Sequence, residues 1–263
     1  MELKESLFAG LKVEVQADQI EKESSDKKVA ICKTENIGKV IKVKNRLFTQ
    51  DSLKNYTEML IHTALNTHKE AKKILVVGGV KSFVIAEIER YFDINLTVDY
   101  INLSESSEEI FETQDNLKHK YNFVTSSDVK EFISAQENDI YDVVIFDEVE
   151  LEKVTMAHVN RVLSETGVFG TYSSAFGDDE SLVSNLTAVS NEFIIAMPYF
   201  VNLMLPTTAV FLLGSKKYHP TADIILQRAD LLDGLDYYNS EVQEASFKQP
   251  NHIRKLLKGI VKN

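Results

Sequence analysis

The sequence predicts an α/β chain: a doubly wound, mainly parallel sheet preceded by a small N-terminal antiparallel β-domain. Three observations predict it. From residue 55 onward, strand-length apolar runs alternate with helix-length amphipathic stretches, the pattern of a sheet covered on both faces. The first fifty residues instead hold closely spaced short apolar runs, the pattern of a small antiparallel sheet. The first apolar run of the second part ends in Gly78-Gly79, and a strand running into glycines lets backbone approach a ligand closely. The chain is therefore divided into a β-strand domain at 1–54 and an α/β domain at 55–263.

Taken in order, Leu11 to Val15 alternates apolar with charged, and Val29–Cys32 and Val40–Val43 are short apolar runs. Glu23-Ser24-Ser25-Asp26 and Asn36-Ile37-Gly38 separate them as turns. Asn55 to His68 sets Met59, Leu60, Ala64 and Leu65 at helical spacing. Ile74–Val77 reads as the first buried strand of the main sheet. Further strands are expected near Leu96–Ile101, Tyr121–Val124, Val143–Phe146, Val168–Thr171, Ile194–Met197 and Val210–Leu213. Ser107–Leu117, Val129–Ala135 and Met156–Leu163 read as helices between them. In such sheets the ligand lies beyond the carboxyl ends of the strands, which here means just after Val77, Ile101, Val124 and Phe146.

Composition narrows the function. The 263 residues are 44% hydrophobic and 26% charged, which is ordinary for a globular chain with a real core. A net charge of -11 argues against a partner held through nucleic-acid phosphates or an anionic membrane surface. No apolar run is long enough to span a bilayer and no secretory leader is evident, so a cytoplasmic location is expected. The single Cys32 excludes an intramolecular disulfide framework, and the six histidines form no metal pattern. His62 and His68, six apart, read as surface or packing residues. No phosphate loop or nucleophile elbow is present.

The remaining candidates sit at strand ends. Val80-Lys81-Ser82-Phe83 does not extend Gly78-Gly79 into a dinucleotide fingerprint. Asp128 precedes a helical run; it reads first as a helix N-cap, and compatibly with that as a carboxylate able to accept an adenine amine. Asp147, with Glu148 and Glu150 behind it, concentrates negative charge beyond an apolar strand. That cluster is suited to a dication and to removing a proton from its amine, or else is a solvated acidic loop. Tyr237-Tyr238-Asn239 offers rings with polar tips, for a pocket wall or for packing.

Several segments, in order, resemble the spermidine synthase family. Tyr56-Thr57-Glu58-Met59-Leu60-Ile61-His62 resembles its Tyr-x-Glu-Met-x-x-His helix, and Lys73 to Gly79 the strand entering its glycine loop. Asp128-Val129-Lys130-Glu131-Phe132 and Tyr141 to Asp147 resemble two further family elements. Tyr237-Tyr238-Asn239, with Ala245 and Phe247, resembles its C-terminal signature, the most specific match. The resemblance runs from about residue 11 to the end. It implies a Rossmann-like, methyltransferase-type catalytic domain, association into homodimers or homotetramers, and small-molecule substrates. The implied reaction moves the aminopropyl group of decarboxylated S-adenosylmethionine, a co-substrate, to putrescine, giving spermidine and methylthioadenosine with no metal or other cofactor. By position it implies Asp147 as the base and Tyr56 as a residue that helps orient the attacking amine. It implies Glu150, Tyr237, His62, Gly78, Gly79, Asn102 and Asp128 as substrate-binding residues.

The chain also departs from that pattern. Gly78-Gly79-Val80-Lys81-Ser82-Phe83 stands for a Gly-Gly-Gly-Asp-Gly-Gly loop, so Lys81 reverses the sign of an aspartate. Asn102-Leu103-Ser104 stands for Glu-x-Asp, Asp147-Glu148-Val149-Glu150-Leu151 for Asp-Ser-Ser-Asp-Pro, and Gln243 for a histidine. Near Asn202-Leu203-Met204-Leu205-Pro206 a Pro-Thr-Tyr-Pro-Ser-Gly segment has no counterpart. Two other readings therefore stand beside the first: a related S-adenosylmethionine-type transferase with another donor or acceptor, and a non-catalytic homologue.

Overall fold

A computed structural model describes residues 2–263 apart from 93, 104–107, 127, 148 and 204–207. Six strands fill the first part: β1 (Glu2–Phe8), β2 (Leu11–Gln16), β3 (Gln19–Glu23), β4 (Val29–Thr34), β5 (Gly38–Val43) and β6 (Arg46–Thr49). They form two antiparallel sheets, a β1-β2 hairpin and a four-stranded β3-β4-β5-β6 meander, where the sequence predicted one. β3 (QIEKE) is exposed at every position, so it carries no apolar period to read. Leu3, Val15, Ala30, Cys32, Val40 and Leu47 make the core of this part.

Helix α1 (Gln50–Thr67) follows without a break. It starts earlier than its apolar spacing suggests because Thr49 and Ser52 form a capping box, each side chain bonding the other's backbone N–H. Almost every α1 residue is buried, polar ones included. The helix packs between the main sheet and the N-terminal strands.

Then come β7 (Lys73–Val77), α2 (Lys81–Ile88), β8 (Thr97–Asn102), β9 (Lys120–Thr125), α3 (Val129–Ser134), β10 (Tyr141–Phe146), α4 (Lys153–Val162) and β11 (Leu163–Ala175). The chain continues with α5 (Asp179–Glu192), β12 (Ile195–Asn202), β13 (Thr208–Ser215), α6 (Leu226–Asp230), α7 (Ser240–Ser246) and α8 (Asn251–Leu256). The strand order β12-β13-β11-β10-β7-β8-β9 gives a seven-stranded sheet. Strands β7 to β11 run parallel, while β12 and β13 are antiparallel neighbours. The mainly parallel expectation holds for the part that builds the site. Pro198 lies within β12, which is tolerated because β12 is an edge strand. The two faces bury separate cores, one around α1 and α2, the other around α4 and α5.

The helix expected over Ser107–Leu117 does not form: Ser107 lies outside the described residues, and Glu108–Leu117 is turn and irregular chain. Tertiary bonds hold the segment instead. Glu109 accepts from the Ser25 N–H and hydroxyl at 2.7 and 2.8 Å, Glu108 pairs with Lys81, and Phe111 meets Phe83 edge to face. Among the described residues no helix is long and apolar enough to cross a membrane, and no group of three or more His, Cys, Asp or Glu could hold a metal ion.

Candidate active site

The main sheet brings Val77 and Phe146 side by side, and each strand leads into a candidate residue. The Asp147 N–H donates to the Val77 carbonyl at 2.8 Å and the Gly78 N–H to the Ile101 carbonyl at 3.0 Å. Gly78 and Gly79 have φ of +80° and +77°. A Cβ at Gly78 would stand 2.4 Å from the Asp147 carbonyl oxygen, so only glycine lets these two strand ends touch. The Tyr100 hydroxyl donates to the Gly79 carbonyl at 3.1 Å and fixes the turn.

Opposite the glycines, α1 contributes Tyr56 and β6 contributes Arg46. The Tyr56 hydroxyl donates to Asp147 Oδ1 at 2.5 Å, and Arg46 Nη1 reaches Tyr56 Oη at 3.1 Å and Asp147 Oδ1 at 3.3 Å. Burial, reinforced by the adjacent carboxylate and only partly offset by Arg46, pushes the Tyr56 phenol well above its usual 10, so it is a proton donor and not a phenolate. The Arg46 guanidinium lies against the faces of Phe48, Tyr56 and Tyr172. Strand period places Arg46 and Phe48 on one face of β6, while Leu47 turns into the N-terminal core.

These groups line one narrow cleft, with about 30 Å³ of room at its heart. Its walls include Lys28, Val43, Lys44, Arg46, Tyr56, Gly78, Gly79, Asn102 and Asp147. Five residues expected from the sequence thus meet here: Asp147, Tyr56, Gly78, Gly79 and Asn102. The arrangement can remove a proton at Asp147 and can seat a cation against aromatic faces.

The other four expected residues lie elsewhere. Asp128 is exposed after β9, two strands beyond β7 on the same carboxyl edge as Asp147, roughly 14 Å away by strand spacing. Its carboxylate caps α3 by accepting the Glu131 N–H at 2.8 Å. Glu150 is exposed and outside the cleft wall, and Glu148 lies outside the described residues. His62 is fully buried, with its ring nitrogens 2.8 Å from Tyr91 Oη and 3.0 Å from Glu87. The surface alternative for this histidine is thereby corrected; His68 is likewise buried, at 3.0 Å from the Thr166 hydroxyl. Tyr237 lines a separate cavity with Phe176, Phe200 and Asn202, and its hydroxyl accepts the Asn202 N–H at 3.2 Å.

The departures have structural partners. Lys81 Nζ pairs with Glu108 at 3.0 Å over the Phe123 ring, and the same carboxylate oxygen accepts from Asn102 Nδ2 at 2.6 Å. Gln243 is fully buried, accepting from the Tyr238 hydroxyl at 2.5 Å and donating to the Pro220 carbonyl at 2.7 Å. Sequence reasoning missed Arg46, Tyr172 and Glu108. The alternation Arg46-Leu47-Phe48 was the one available signal for Arg46, while Glu108 sat in a stretch read as helix.

A profile of the spermine/spermidine synthase domain matches residues 53–224. The polyamine aminopropyltransferase of Helicobacter acinonychis is 25% identical over 254 residues, covering 95% of this chain and 94% of that one. That of Caldicellulosiruptor bescii is 28% identical over 218 residues, covering 77% of each. Two solved structures share the fold. A spermidine synthase in complex with the transition-state analogue AdoDATO has a TM-score of 0.84 at 19% identity, covering 98% of this chain and 94% of that one. The spermidine synthase from Thermotoga maritima has a TM-score of 0.84 at 20% identity, with the same coverage.

Proposed function

This chain belongs to the spermine/spermidine synthase family, and we propose that it transfers the aminopropyl group of decarboxylated S-adenosylmethionine to putrescine. The observation that carries this reading is Asp147 at the end of β10, bonded to Tyr56 and facing the Gly78-Gly79 turn. An alkylammonium is not a nucleophile until it loses a proton. Asp147 takes that proton, and Tyr56, donating to its Oδ1, holds the carboxylate in place. The freed amine lone pair attacks the methylene beside the donor's sulfonium. The carbon–sulfur bond breaks, sulfur keeps the electron pair, and methylthioadenosine leaves as a neutral thioether. The positive charge on sulfur makes it a good leaving group, so the step needs no metal. The protein's task is to hold the two partners in line. Gly78, Gly79 and Asn102 form the wall offered to the donor nucleoside.

The test is methylthioadenosine release from purified protein given both substrates, beside Asp147→Asn. Turnover in the parent and its collapse in the variant support the reaction and the base together. A second reading, a transferase whose donor keeps its carboxylate, is favoured by the cations Lys28, Lys44 and Arg46 along the cleft. The same assay with S-adenosylmethionine separates the two.

A further inference from the structure

Arg46 stands where a bound cation would stand. Its Cζ is 4.2 Å from the Tyr56 ring centroid, 4.4 Å from Tyr172 and 4.6 Å from Phe48. On the remaining side it meets the Asp147 carboxylate and the Tyr56 hydroxyl. Three aromatic faces and one carboxylate around a single positive centre are the elements by which proteins recognise ammonium ligands. The cage is interior: the Arg46 and Asp147 side chains are only 13% and 11% exposed.

We propose that Arg46 is a specificity-determining residue that occupies this protein's own ammonium subsite, so that an amine acceptor enters by displacing the guanidinium from between Phe48, Tyr56 and Tyr172. The inference rests on the amine-acceptor reading given above. Charge supports it first. A second cation brought within contact of Asp147 while the guanidinium remains meets like-charge repulsion in a poorly screened site. Space supports it next, because about 30 Å³ at the heart of the cleft holds little more than a water or two. Finally, an exit exists. Arg46 is the first residue of β6, directly after the two-residue Lys44-Asn45 turn that follows Val43. Val43 and Lys44 line the same cleft, so side-chain rotation alone carries the guanidinium toward them without disturbing a strand. Acceptor affinity is then reduced by the fraction of molecules in which the cage is filled from within.

The experiment is calorimetric titration of putrescine and, separately, methylguanidine into the parent protein, Arg46→Ala and Arg46→Gln, with no donor present. Both variants are expected to bind putrescine at least about tenfold more tightly than the parent. Arg46→Ala is expected to bind methylguanidine, which refills the vacated cage, while the parent does not. Unchanged or weaker putrescine binding in the variants, or equal methylguanidine binding in parent and Arg46→Ala, overturns the proposal. If Arg46→Ala melts far below the parent, Arg46→Gln, which keeps a hydrogen-bond donor, decides alone. Because no turnover is involved, the two failures are distinguishable. Methylguanidine binding without methylthioadenosine release sinks the reaction and keeps the cage; turnover with unaltered binding does the reverse.

Discussion

The Tyr56 hydroxyl and the Asp147 carboxylate are 91 positions apart in the chain and 2.5 Å apart in the fold. Burial first, and the carboxylate after it, keep the phenol protonated, and the phenol donates to the carboxylate. Asp147→Asn is expected to lower methylthioadenosine release by about 10²- to 10⁴-fold, the span of general-base contributions. Tyr56→Phe keeps the ring and loses only the donor, so its loss is expected to be smaller, with a stability cost of about 1 kcal/mol. Steady-state rates and urea titrations of the two variants check this; a larger rate loss in Tyr56→Phe would reverse the assigned roles.

Gly78→Ala is expected to cost both activity and stability. Its φ of +80° is strained for any side chain, and the added Cβ meets backbone at 2.4 Å, not a movable side-chain tip. A loss of about 2 kcal/mol or more is expected in chemical denaturation. A neutral result would mean that β7 and β10 can separate at their ends.

Glu58 has a structural duty that its place in the Tyr-x-Glu-Met motif does not reveal. Fully buried, its carboxylate accepts the N–H groups of Asp236, Tyr237 and Tyr238 at 3.0, 2.9 and 2.9 Å. Glu58→Ala leaves those donors without their acceptor, for an expected loss of about 3 kcal/mol or more. Hydrogen exchange at amides 236–238 should quicken more than exchange in β7. Uniform quickening would show that the carboxylate does not act locally.

Stability is expected to fall with acid in two windows. Burial disfavours the His68 imidazolium and holds its pKa below the ordinary 6.5. The unfolded chain then binds a proton that the fold refuses, so stability drops as pH falls below 6.5. For Glu87, burial alone would raise the pKa, but hydrogen bonds from His62 and Arg90 outweigh it and hold the carboxyl below 4.5. Its contribution is complete above 4.5 and is lost as pH falls from there through the folded value. Urea midpoints followed across the acid range should flatten in the upper window for His68→Gln and in the lower for Glu87→Gln. Slopes that match the parent would remove these two groups as the cause.

How much of this was legible depends on the range of the interaction. Strands such as Tyr141–Phe146 and Lys73–Val77 announce themselves because they are apolar on both faces. The Gly78-Gly79 turn and Asp147 follow from strand ends alone. What could not be read is long-range. Glu108 pairs with Lys81 and Asn102 across the sheet edge, and nothing in the local run of Glu108-Glu109-Ile110 distinguishes it from an exposed helix. Apart from its alternation with Phe48, nothing local sets Arg46 apart from other charged residues beside turns; only the fold brings it against Tyr172 and Asp147. His62 could not be placed because its partners, Tyr91 and Glu87, come from beyond the next strand.

The direct passage of β6 into α1 has a consequence for inheritance. The guanidinium, two of the three rings around it and the phenol that bonds Asp147 all travel on the single stretch from Arg46 to Tyr56. On the proposal made for Arg46, exchanging that one stretch between relatives is expected to transplant the acceptor preference as a unit, while the glycine turn and the carboxylate stay with the recipient. On that proposal, a change in which amine is accepted needs substitutions in one short reading segment only, independently of drift in the rest of the sheet.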